Sequence, residues 1–123
     1  MKKRELEALI RGVILEGVME DLTTQLSRII IIHLKRNRDR KEIPLLKMIV
    51  NDLIVYAEYN RDNGRLRLAG GGYNDAIRAI KVNIIVPFEF NDRELSDFIP
   101  VLKNTIRHEL EHHRQYQRSG YEE

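Results

Sequence analysis

Apolar residues recur at helical spacing at both ends of the chain and alternate with polar ones in its middle. Leu6, Leu9, Ile10, Val13, Ile14 and Val18 form one such stripe, and the spacing predicts an amphipathic helix covering the core. Gly12 and Gly17 weaken that helix in isolation, so the same stripe also reads as a docking or leader helix, residues 1–20, for a larger partner. Asp21 can cap a second helix, continued by Leu22, Leu26, Ile29, Ile30, His33 and Leu34. The β-branched block at 29–32 suits a buried strand as well, but its flanks at 24–28 and 34–36 favour a helix buried on several sides.

After Pro44 the period changes. Residues 53–59 read as a strand, Asn63-Gly64 as a hairpin turn, and residues 65–68 as the half-buried return strand. Gly70, Gly71 and Gly72 are expected to break regular structure as a mobile connection. A phosphate loop is disfavoured there, because no Lys-Ser/Thr pair follows. Residues 79–86 form a further strand stopped by Pro87, with Lys81 and Asn83 on its wet face. Asn91 to Glu94 has the capping-box pattern, opening a helical region. Pro100 is placed in the first turn of a second helical piece, after a break near 97–99, and that helix runs to about Ser119 with Gly120 as its stop. The expectation is a single α+β domain, 1–123: N-terminal helix or helices, a small mostly antiparallel sheet and a C-terminal helix.

Composition narrows the chemistry. The chain has no cysteine, so disulfides, thiolate metal sites and cysteine nucleophiles are excluded. Twenty-one Lys plus Arg against 19 Asp plus Glu leave a net charge of +2, too small to imply a nucleic-acid or membrane partner. The basic run from Lys35 to Lys41 is read as a solvated helix end, since no aromatic residue interleaves for base stacking. His33 is read as a core or boundary histidine, with no partner at ligand spacing. Nothing approaches a membrane span, and Glu5, Glu7 and Arg11 interrupt any signal-peptide core.

The chemistry concentrates in His108-Glu109-Leu110-Glu111-His112, followed by His113. Two histidines four apart on a helix lie on one face, so both imidazoles can reach one metal ion. The Glu109 carboxylate projects beside them, placed to hold and deprotonate a metal-bound water. On a helical wheel, Phe98, Leu102, Ile106, Leu110 and His113 share the apolar side, while Lys103, Arg107, Glu111 and Arg114 gather opposite. His108 and His112 fall at the border of the stripe with Val101 and Thr105, and Glu109 falls inside it. A carboxylate there is costly to bury without compensation, which a divalent cation supplies. An arginine partner for Glu109, or a metal pair involving His113, are the alternatives the spacing leaves open.

The pentad and its placement on a helix after a small sheet resemble the zincin class of metallopeptidases, in a minimal gluzincin-like form. The resemblance implies one zinc ion held by His108 and His112, and Glu109 as general base. It also implies an edge strand that pairs with an extended peptide substrate, here residues 81–84 (Lys81, Val82, Asn83, Ile84). The metzincin extension is absent, because Gln115 and Arg118 occupy its glycine and histidine positions. By the same resemblance a third ligand is a downstream carboxylate, Glu122 or Glu123, with Tyr121 a weaker choice; otherwise it comes from elsewhere in the chain, from another subunit, or from nothing. Residues 5–16 resemble the short leaders of tailed-phage gene products, which suggests a host-cytoplasmic or virion-associated protein. The functional expectation is peptide-bond hydrolysis by a zinc-bound water. Its competitor is a non-enzymatic structural or virion protein with a degenerate zincin fold.

Overall fold

A computed structural model describes residues 19–122, with side chains over 22–115. The expected helix over residues 5–18 lies outside the described residues. Helix α1, Met19–Arg36, is followed by strands β1, Leu46–Val50, β2, Leu53–Arg61, β3, Arg67–Asn74, and β4, Ala79–Val86, and then by helix α2, Asp92–Glu122. The strands form one mixed sheet in the order β1-β2-β4-β3. β1 and β2 are antiparallel, β2 and β4 parallel, and β4 and β3 antiparallel. Both helices cover one face, so the fold is α+β in two layers.

The block at 29–32 is helical, and Leu26, Ile29, Ile30 and Leu34 are fully buried. Tyr59 of β2 reaches up to this helix and donates its hydroxyl proton to the Ile30 carbonyl at 3.0 Å. Burial pushes the Tyr59 phenol far above its ordinary pKa. Beneath the helices, Met48, Val55, Ala57, Ile80, Val82 and Ile84 present the alternate residues of three strands to the core. The Asn37 side chain closes α1 by donating to the His33 carbonyl at 2.8 Å. Arg38 bonds the Phe90 carbonyl at 2.6 Å and covers the Phe90 ring. The end of α1 therefore meets the start of α2, and the helices run antiparallel. The basic run is thus only partly solvated, since Arg38 is a fastening of the fold.

Four expectations are corrected. Strand β1 was not expected; Leu46, Met48 and Val50 point inward, but exposed Ile49 blurs the alternation. The Asn63-Gly64 turn exists, with Gly64 at φ 104, yet β2 and β3 are not neighbours because β4 inserts between them. β4 alternates buried Ile80, Val82, Ile84 and Val86 along its length, and an interior position covers it on both sides. The glycine-rich strand has little to bury and takes the edge. Gly70, Gly71 and Gly72 accordingly lie within β3 instead of breaking it. Finally, α2 runs through Pro100 and Gly120 without a break. Pro100 and Ser96, whose carbonyl loses its i+4 donor, are both exposed, so water can satisfy what the ring removes. At the start of α2 the expected cap is present: the Glu94 N–H donates to Asn91 Oδ1 at 2.8 Å. No described helix is long and apolar enough to cross a membrane.

Candidate metal centre

The site is built on the middle of α2, where the helix passes beneath the edge strand. Leu102, Ile106 and Leu110 anchor the helix in the core, and the same stripe carries Glu109, which is only 6% exposed. One edge of the helix holds Thr105, His108 and His112 in successive turns. Thr105 fixes which way that edge faces: a Cβ on Gly71 would stand 2.8 Å from its Cγ2. The histidines therefore sit on the side of α2 turned toward β3, and Gly71 is what lets strand and helix approach so closely.

His108 Nε2 and His112 Nε2 are 3.0 Å apart, with their rings perpendicular. Glu109 Oε1 lies 4.0 Å from His108 Nε2. Ligand atoms of the three side chains all fall within 4.8 Å of one another. With Zn–N bonds of about 2.05 Å, tetrahedral ligands lie about 3.3 Å apart, so the imidazole pair needs to open by only about 0.3 Å. The two imidazoles are borderline donors suited to zinc and its neighbours among the divalent metals, and the carboxylate is a harder oxygen donor that zinc also accepts. His108 and His112 are exposed while Glu109 is buried. An ion here is reachable from solvent, yet rests against a carboxylate shielded from it. The cluster is compatible with a metal site.

His113 does something else. Its Nε2 faces Asp52 Oδ1 at 3.5 Å, and its Nδ1 lies 2.7 Å from the Tyr73 hydroxyl. Both ring nitrogens are committed, which removes His113 as a ligand and makes it a tie between α2, the β1–β2 turn and the edge strand. His33 is likewise structural, bonded through Nε2 to the Pro44 carbonyl at 2.9 Å and packed on Tyr59.

Two expected assignments need correcting. Glu122 remains in the helix, about 15 Å along the axis from His112 at 1.5 Å per residue, so it does not fold back toward the histidines. Lys81, Val82, Asn83 and Ile84 belong to β4, an interior strand held between β2 and β3. Val82 and Ile84 are wholly buried, and Lys81 is paired with Glu58 at 2.9 Å on the outer face of the sheet. The edge beside the histidines is β3. The residues that place it, Gly71, Tyr73 and Thr105, were missed. Their signal was a glycine run leading into an aromatic residue, which resembled a linker because glycine carries no strand propensity. Among the described residues, the grouping contains no third histidine and no second carboxylate.

Compared with known proteins, the chain matches no family model, no curated protein and no solved structure.

Proposed function

We propose that the chain is a metal-dependent peptidase of the zincin type, with one zinc ion held by His108 and His112 and with Glu109 as general base. The observation that carries this reading is a carboxylate buried inside the apolar stripe directly beside two imidazoles whose Nε2 atoms converge. Zinc, when bound, supplies Lewis acidity that polarises a carbonyl and makes water acidic at neutral pH. Glu109 takes the proton of the attacking water and returns it to the leaving amine. Its shielding from solvent keeps it from hydrating, and the helix fixes it one residue from His108. The outer edge of β3, the last strand of the sheet, offers backbone donors and acceptors to an extended peptide, the role first assigned to residues 81–84.

A second reading draws on the ligand count. Catalytic zinc usually has three protein ligands, and the described residues group two histidines with one glutamate. A structural protein, virion-associated or otherwise, with a degenerate site fits that count. Elemental mass spectrometry on tag-free wild type and His108→Ala separates the readings. Near-stoichiometric zinc in the wild type, lost in the variant, is expected. Glu109→Gln should then keep its zinc and lose about 10²- to 10⁴-fold in peptide hydrolysis. Zinc without hydrolysis in the wild type selects the structural reading, and no zinc even after it is offered removes the metal altogether.

A further inference from the structure

The two antiparallel helices leave a groove on the outer side of the helical layer, about 330 Å³ in volume and remote from the histidine edge of α2. Its floor is apolar and shallow: Ser27 and Ile31 from α1 lie along it, with Ile99 from α2. Its rim is cationic, with Arg28 and Lys35 on α1 and Lys103 on α2. Among the described residues no acid lines the groove, and none of the three cations is paired with a carboxylate.

We propose that this groove is a docking site for an acidic amphipathic helix of a partner protein. Side chains between two packed helices form the ridges and grooves into which a third helix fits. Ser27 and Ile31 are already buried at the bottom of the groove, and an incoming ridge packs its apolar side chains on half-buried Ile32 and Ile99 at its sides. Arg28 and Lys35 stand seven residues apart, two turns or about 10 Å along α1. A helix lying in the groove therefore meets them with acids spaced seven apart, while a further acid on its opposite flank meets Lys103. Cations that converge on apolar surface select against a basic or neutral helix, because such a helix leaves them desolvated and unpaired.

A charge-swap experiment on the full chain tests this. The probe is a fluorescein-labelled peptide of about 20 residues, leucine at helical spacing and glutamate elsewhere, read by anisotropy. Saturable binding that weakens as salt rises is expected, with at least a tenfold loss in Lys35→Glu/Lys103→Glu. The reversed protein should in turn bind the lysine counterpart of the peptide, an outcome a misfolded variant cannot give. Absence of saturable binding to the wild type, or equal binding to both proteins, overturns the proposal. So does a double variant whose only change is loss of self-association or of retention on anionic vesicles, which assigns the groove to a second copy or to a lipid surface.

Discussion

Neighbouring glycines of β3 should respond to the same substitution with opposite signs. At Gly71 a Cβ would stand 2.8 Å from Thr105 Cγ2, 3.7 Å from the Lys81 carbonyl oxygen and 3.9 Å from Val82 Cγ1. Apolar carbons rest about 3.5–4.0 Å apart, so Gly71→Ala is short by roughly 1 Å against one atom. That atom belongs to a β-branched side chain stiff at χ1 and rooted in a core helix, so β3 must lift off α2 instead. Overpacking of this kind costs about 1–3 kcal/mol, and the lower backbone entropy of alanine returns about 0.5–1 kcal/mol. A net loss of about 0.5–2 kcal/mol is expected. At Gly70 the added Cβ meets nothing within 4 Å, so only the entropic gain remains and Gly70→Ala should stabilise by about 0.4–1 kcal/mol. Thr105→Ser removes Cγ2, and in the double variant with Gly71→Ala most of the loss should disappear, giving a coupling of about 1 kcal/mol or more. Urea unfolding followed by circular dichroism reads the four variants against the wild type, with the midpoint shifting and the slope unchanged. Equal stability of the two alanine variants, or no relief by Thr105→Ser, refutes the close strand–helix contact that sets β3 beside the histidine edge of α2.

Other consequences follow from particular contacts. Tyr73→Phe strips the hydrogen-bond partner from buried His113 Nδ1 and should destabilise by about 1–3 kcal/mol, while metal content measured by elemental analysis stays as in the wild type. Metal lost with Tyr73 would return His113 or the phenol to the candidate ligand set. Tyr59 carries a raised folded-state pKa, so its stabilising contribution is complete below the unfolded value near 10 and declines as pH rises above it. Relative to Tyr59→Phe, the wild type should lose about 1.4 kcal/mol per pH unit above pH 10, and parallel denaturation curves for the two proteins up to pH 11 would contradict the burial. Asn91→Ala removes the N-cap of α2 and should cost about 1 kcal/mol in the same denaturation assay.

Local chemistry made much of this fold legible. The 3.6-residue period of Leu26, Ile30 and Leu34, and that of Leu102, Ile106 and Leu110, specified two helices and their buried sides. The same wheel placed Glu109 inside the apolar stripe and both histidines at its border, where they are found, because positions along one helix are fixed by the helix alone. The cap at Asn91 was equally local. What the sequence could not determine was which strands lie side by side. Pairing is a long-range choice among segments of similar period, settled by which strand has most to bury. β4 therefore took the interior and the glycine strand the edge, against the hairpin that Asn63-Gly64 suggested. The histidine pair was written in the chain as a spacing. The strand beside it, the Thr105–Gly71 contact that sets their approach and the Tyr73–His113–Asp52 tie exist only once sheet and helix are packed, because each joins residues more than 20 positions apart.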